Sequence, residues 1–274
     1  MELLDILKSL ELHRISVSKA KKLLSLYSVE KMADFAKFDV GRKQRRGIPE
    51  VIFAEKKEIV ILKKIILAAI KRSDYVLVSR VNKNHYKKLI DFAKRNKLKI
   101  KTGKNTNSIL LFKRLFFSGG KVGILTAGTS DVGVAEETRL MCEAMGCECI
   151  YSYDVGIAGL HRLFPIIKKL IREEVDSIVV VAGMEGALAS IVSSLVDIPV
   201  IGVPSSVGYG YGQKGIAALA SMLQSCTLGL SVVNIDNGIG AGAFAANIAN
   251  RSVMKKSRLD YSKTSKLRPD SISD

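Results

Sequence analysis

Five stretches of the sequence hold residue types able to do chemistry. Cys226 stands alone in Ser225-Cys226-Thr227-Leu228-Gly229, away from Cys142, Cys147 and Cys149. A cysteine of this kind is a nucleophile where its thiolate is favoured and a small apolar filler where it is buried, and both readings stay open. Glu185, in Gly183-Met184-Glu185-Gly186, is a carboxylate among small residues, a place where it costs free energy unless a proton or ligand engages it. His161, in Gly159-Leu160-His161-Arg162, follows Asp154 and is either an acid–base group or a histidine of a helix's first turn. Gly128-Thr129-Ser130-Asp131 opens a helix with free N–H groups and hydroxyls that suit an anion, or with an ordinary N-cap at Ser130 or Asp131. Arg42, Arg45 and Arg46 lie in a turn-prone run between Gly41 and Gly47, and guanidinium groups grip phosphates and carboxylates bidentately.

These residues need elements to position them, and the pattern from Lys121 onward is regular. Apolar runs at Val122–Thr126, Cys149–Tyr153, Ser177–Val181, Val200–Val203 and Leu230–Ile235 read as strands. Helical stretches separate them: one to Gly146, then Gly159 to about Arg172, Leu188–Val196, Lys214–Ser225 and Gly238–Asn250. Continuous apolar strands alternating with helices predict a parallel sheet covered on both faces. Ligands of such sheets bind beyond the carboxyl ends of the strands. Those ends carry Gly128 to Asp131, then Asp154, then Gly183, Met184 and Glu185, then Ser205, Ser206, Gly208, Tyr209 and Gly210, and finally Asp236 and Asn237. One glycine-rich turn means little; five on one edge predict a ligand there.

Charge divides the chain differently. The net charge is +17, yet residues 1–120 hold 29 Lys+Arg against 11 Asp+Glu while residues 121–250 hold 7 against 12. Glycine runs the other way, with 17 of 22 between 121 and 250. The expected organisation is a basic module over 1–119, a second domain over 120–250 and a polar, disordered tail over 251–274. Short amphipathic helices fill the first ~40 residues, with apolar stripes at Leu3, Leu4, Ile6, Leu7 and Leu10 and at Ala20, Leu23, Leu24 and Leu26. A small α/β unit follows: strand Val51–Ala54, helix Lys57–Lys71, strand Tyr75–Val78, helix Lys83–Asn96, and strands Leu98–Lys101 and Ile109–Phe112.

Composition excludes several classes. No apolar run approaches the ~20 residues of a membrane span, and the opening Met1-Glu2-Leu3-Leu4-Asp5-Ile6 is not the basic start of a secretory signal. Four cysteines make neither a disulfide framework nor a paired metal-ligand pattern, so a cytoplasmic protein with reduced thiols is expected. The basic half invites a nucleic-acid reading through counterion release. Against that reading, the lysines are spread along the module, and aromatics, at 6%, form no interleaved platform.

The residues from ~120 to 250 resemble the aminoimidazole ribonucleotide carboxylase/mutase (PurE) fold. The resemblance rests on Ala127-Gly128-Thr129-Ser130-Asp131, Gly159-Leu160-His161-Arg162, Ala182-Gly183-Met184-Glu185-Gly186-Ala187-Leu188 and Ile198-Pro199-Val200-Ile201-Gly202-Val203-Pro204. It implies a flavodoxin-like, three-layer α/β domain. Two departures stand out: Glu185 replaces an apolar-histidine segment, and an N-terminal module is added. Both are similar to a sister family, the nickel-pincer cofactor biosynthesis (LarB) proteins. That likeness spans roughly residues 40–250 and is carried by Arg45-Arg46-Gly47-Ile48-Pro49-Glu50, Pro204-Ser205-Ser206-Val207-Gly208-Tyr209-Gly210, Ser225-Cys226 and Asn234-Ile235-Asp236-Asn237-Gly238-Ile239-Gly240.

The second resemblance implies carboxylation of the pyridinium ring of nicotinic acid adenine dinucleotide, with hydrolysis of its phosphoanhydride. Carbon dioxide or bicarbonate is then a co-substrate. It assigns Cys226 as the nucleophile, Glu185 or His161 as the base, and Ser130, Asp131 and the loop from Ser205 to Gly212 as holders of ribose and phosphate. Arg45 and Arg46 would meet pyrophosphate or the nicotinate carboxylate, and Asp236 a Mg²⁺ ion. The purine-type fold implies a homo-oligomer, an octamer in that family; the apolar, glycine-rich last helix Gly238–Ile248 is either a contact surface between subunits or buried within one. The alternatives are a purine-pathway carboxylase or mutase, which needs no cysteine, and a nucleic-acid-binding protein whose affinity falls steeply with salt.

Overall fold

The structure, a computed structural model, describes residues 3–24, 30–32, 36–38 and 46–265. Two compact units divide between Leu115 and Phe116, four residues before the border expected from glycine content.

In the first unit, helices Leu3–Glu11 and Val17–Leu24 form where the two apolar stripes predict them and bury Ile6 and Ala20, but Leu4 and Leu7 stay exposed and Leu26 lies outside the described residues. The described part of the next stretch is not helical but a short antiparallel pair, β1 (Glu30–Met32) and β2 (Ala36–Phe38). Then β3 (Val51–Phe53), β4 (Tyr75–Ser79), β5 (Lys99–Thr102) and β6 (Ile109–Phe112) form a mixed sheet in the order β3-β4-β6-β5. Helices Ile59–Ser73 and Lys83–Arg95 cover one face, where Leu62, Ile66 and Leu89 pack with Val76, Val78 and Leu111. Asn82 starts the second of these helices by accepting the Asn84 N–H at 3.0 Å.

The second unit is a five-stranded sheet of β7 (Lys121–Thr126), β8 (Glu148–Ser152), β9 (Ser177–Ala182), β10 (Val200–Pro204) and β11 (Leu230–Val232). Every pairing is parallel, in the order β11-β10-β9-β7-β8. Read from the other edge this is the flavodoxin-like order, which reverses between β7 and β9. β9 and β10 are buried along their whole length, because helices lie on both faces. On one face Leu125, Ile178, Val180 and Val200 meet Leu163, Ile167, Leu170, Leu188, Val192 and Met222 of helices Leu163–Arg172, Ala187–Leu195 and Ile216–Leu223.

On the opposite face the helix Val132–Ala144 packs against the helix Gly238–Ser265. Their approach is close because the second helix presents small residues there, and side chains of the first bond its carbonyls. Thr138 Oγ1 donates to the Gly238 carbonyl at 3.0 Å and Cys142 Sγ to that of Gly242 at 3.5 Å. A Cβ at Gly242 would stand 2.7 Å from the Thr138 carbonyl oxygen. Gly242→Val is therefore expected to destabilise the protein by about 1–3 kcal/mol, read from the midpoint of urea unfolding. Burial pushes the Cys147 thiol up to about 12, and the Cys142 thiol is raised by its neighbour Cys149 and by burial, so these cysteines serve packing.

The segment expected to be disordered from Arg251 differs: the last helix continues to Ser265. No glycine or proline interrupts residues 251–265, and Val253 packs against Gly119, which docks the first added turn. Residues 266–274 lie outside the described residues. No helix among the described residues is long and apolar enough to cross a membrane.

Candidate functional site

The order reversal brings the turn after β7 beside the turn after β9, opening a crevice at the carboxyl edge of the sheet. Gly183 packs so tightly there that a Cβ would lie 2.2 Å from the Val207 carbonyl oxygen and 3.5 Å from Asp131 Oδ1. The Met184 N–H donates to that carbonyl at 3.2 Å. Three of the expected site segments thus meet at one point: Gly128 to Asp131, Gly183 to Glu185, and Ser205 to Gly208.

Asp131 is the pivot. It is 4% exposed, and Oδ2 accepts the Gly128 N–H at 2.8 Å, reaching back over the turn as the third-position acid of a capping box does and not as the expected N-cap. Oδ1 is buried and closes no hydrogen bond of regular geometry. Burial raises its pKa above the ordinary carboxylate value; the Gly128 N–H, the Ser205 hydroxyl and the Gly183 N–H oppose the rise, and the neighbouring Asp236 charge adds to it. Those donors lie near enough to favour the charge without closing on Oδ1. A carboxyl whose folded pKa lies above its unfolded one contributes stability fully below the unfolded value and loses it as pH rises through the folded value. The unfolding free energy of the native protein relative to Asp131→Asn is therefore expected to grow as pH falls from neutral toward the carboxylate range, measured by urea titration at several pH values. A flat difference would contradict the direction of the shift.

The other candidates fall into place around this carboxyl. Thr129 and Ser130 are exposed on the short turn leading into the helix Val132–Ala144. Asp154, in the left-handed region at φ 60°, gives its N–H to Thr126 Oγ1 at 3.0 Å and binds Arg162 Nη1 at 2.7 Å. His161 is exposed beside it in the turn Ile157–Arg162. Glu185 is exposed, so its carboxylate does not carry the burial cost expected from its small neighbours, and it has no hydrogen-bond or ion-pair partner among the described residues. Ser206 lends its N–H to Asp236 Oδ1 at 2.8 Å. Arg162, beside His161 in the sequence, joins the site through its ion pair with Asp154.

Three expectations change. Asn237 caps the last helix, its Oδ1 accepting the Gly240 N–H at 2.9 Å, so its carbonyl oxygen is committed to structure and not to a ligand. Asp236 organises the Ser206 turn, and no group of three or more His, Cys, Asp or Glu among the described residues is placed to hold a metal ion. Cys226 is exposed, but it lies between the helix Ile216–Leu223 and β11, at the amino edge of the sheet. The helix carries the chain away from the carboxyl edge by about 12 Å for its eight residues. Hydrogen bonds from Ser193 to the Leu228 carbonyl and from Val200 to the Gly229 carbonyl hold the cysteine's loop at that far edge. A parallel sheet that starts its strands on one side cannot bring a residue preceding β11 to the turns that follow β7 and β9. Arg46 is exposed in the first unit, and Arg45 lies outside the described residues.

Residues 121–266 match the family model for AIR carboxylase. The chain belongs to the AIR carboxylase family. Residues 29–101 of this family member match a LarB/PurE-like N-terminal domain, so it is a LarB/PurE-like protein of the two-part kind. The uncharacterized protein MJ0165 of Methanocaldococcus jannaschii is 44% identical over 250 residues, covering 89% of this chain and 96% of that protein. The N5-carboxyaminoimidazole ribonucleotide mutase of Thermotoga maritima is 27% identical over 132 residues, 47% of this chain and 74% of the mutase. A crystal structure of a Treponema denticola PurE2 variant aligns with TM-score 0.38 and 21% identity, over 55% of this chain and 99% of that one. The AIR carboxylase match thus coincides with the unit that holds the crevice.

Proposed function

We propose that this AIR carboxylase family member carboxylates the pyridinium ring of nicotinic acid adenine dinucleotide and hydrolyses the phosphoanhydride, releasing pyridinium-3,5-biscarboxylic acid mononucleotide and AMP. The observation that carries the reading is the unpartnered Glu185 carboxylate in the turn after β9, at the carboxyl edge of a chain that also has a LarB/PurE-like N-terminal domain.

A pyridinium ring is too electron-poor to attack carbon dioxide. A thiolate adding to ring carbon 4 makes a neutral dihydropyridine, in which carbon 5 is an enamine carbon with electrons to share. Carbon 5 bonds to carbon dioxide, Glu185 removes the proton that carbon 5 carried, and departure of the thiolate restores the aromatic cation. No net oxidation occurs, and the thiolate is regenerated. The Asp131 Oδ1 atom accepts a ligand hydroxyl in this reading, and Ser130 and Arg162 face its phosphate.

The thiolate is Cys226 of a second copy of the chain. The topology supports this: the cysteine is exposed at the amino edge, and Leu195, Leu223 and Leu228 are exposed around that edge, as befits a contact between subunits.

Incubation with nicotinic acid adenine dinucleotide and ¹³C-labelled bicarbonate is expected to yield AMP and a labelled mononucleotide by mass spectrometry. Recovery of the dinucleotide unchanged, alongside conversion of aminoimidazole ribonucleotide, would favour the purine-pathway reading that the mutase relatives suggest.

A further inference from the structure

The run Gly208-Tyr209-Gly210-Tyr211-Gly212-Gln213-Lys214-Gly215 alternates aromatic rings with glycines and ends on a cation. It forms a strap whose two feet stand together. At one foot the Ser205 hydroxyl accepts the Val207 N–H at 3.2 Å, and the Val207 carbonyl accepts from Met184. At the other foot Gly215, in the left-handed region at φ 80°, comes so close to the Ser205 carbonyl oxygen that a Cβ would lie 2.9 Å from it. The apex is open: Gly210, at φ 73°, has no atom within 4 Å of where its Cβ would be.

The strap's side chains are left unused by the fold. Tyr209 is 80% exposed and Tyr211 wholly so, and neither hydroxyl has a hydrogen-bond partner among the described residues. Elsewhere in this unit Tyr151 and Tyr153 stack on each other at 5.2 Å, and Tyr153 bonds Glu136. Lys214, held at φ 62°, forms no salt bridge among the described residues, whereas Arg162 is tied to Asp154. Two flat, electron-rich rings on glycine hinges beside the crevice suit a flat conjugated ligand, and an ammonium three residues later suits its phosphate.

We propose that the strap closes over the ligand and reads its adenylate half, with Tyr209 and Tyr211 stacking on the base and Lys214 meeting the phosphate. The assignment rests on the dinucleotide reading of the crevice and adds to it the element that tells a nucleotide from a bare sugar phosphate. A purine-pathway ligand with a single small ring would not need it.

Titration calorimetry of the full chain with AMP, ribose 5-phosphate and adenosine tests this. AMP is expected to bind at least about tenfold more tightly than ribose 5-phosphate, a base-stacking increment. The double variant Tyr209→Ala/Tyr211→Ala should lose that preference, the double phenylalanine variant should keep it, and Lys214→Ala should weaken AMP while leaving adenosine unchanged. The proposal is overturned if the native protein shows no preference or no binding of AMP, or if the preference survives both alanines. It is also overturned if light scattering shows that the alanines change the size of the assembly, since the strap would then be a contact between copies. Turnover of nicotinic acid adenine dinucleotide by the native protein is measured in parallel. Without turnover, but with the AMP preference erased by the alanines, the carboxylation reading fails and the strap assignment stands.

Discussion

Cys226→Ala, inactive alone, and Glu185→Gln, severely slowed alone, are expected to recover part of the carboxylase activity when their subunits are co-expressed and assembled together. The expectation follows from the sheet: one chain carries its carboxylate at the carboxyl edge and its thiol at the amino edge, so a working pair must combine two chains. In a mixed assembly some crevices join an intact Glu185 to an intact Cys226, and those crevices turn over. Differently tagged subunits purified in tandem, with product read by mass spectrometry, make the measurement. Absence of any recovery in a verified mixed assembly would remove the second-copy thiol from the mechanism. Full activity of Cys226→Ala alone would remove the covalent step.

Glu185→Gln alone separates the steps of the same reaction. The glutamine keeps the size and polarity of the side chain but takes no proton, so kcat is expected to fall by about 10²–10⁴-fold with little change in KM. The thiol can still add to the ring, and the ring can no longer regain aromaticity by losing its proton. Intact-mass spectra of this variant with substrate should therefore show a protein–dinucleotide adduct that Cys226→Ala cannot form. A variant that turns over at the native rate would pass the base role to His161, which stands exposed at the same edge.

Much of the second unit was legible in the sequence because its strands are buried on both faces. Runs such as Ser177–Ala182 admit only a covered parallel strand, and their glycine-bearing ends then have to lie on one edge. Element order, the carboxyl-edge crevice and the meeting of Asp131, Gly183 and Ser205 follow from that periodicity. The position of Cys226 was equally implied, since a residue just before a parallel strand sits at its amino edge. Its place in the strand–helix alternation, and not the Ser225-Cys226 motif, decides which edge it occupies. Side-chain commitments were not legible: Asn237 as a helix cap and Asp236 as the partner of the Ser206 N–H depend on which N–H each turn presents. The continuation of the last helix past Asn250 escaped a reading based on apolar spacing, because residues 251–265 hold helix without a marked apolar stripe. The short β1–β2 pair gave no signal beside the amphipathic helices that precede it.

Four non-glycine residues of the carboxyl edge adopt left-handed backbone: Asp154, Met184, Lys214 and Asp236, at φ 60°, 51°, 62° and 56°. Aspartate tolerates that region, but a methionine or lysine there stores about 1–2 kcal/mol that glycine would release. A lineage selected for thermal robustness alone would drift toward glycine at Met184 and Lys214. Side chains at both positions hold the rim in a shape that glycine, free to leave the left-handed region, would not fix.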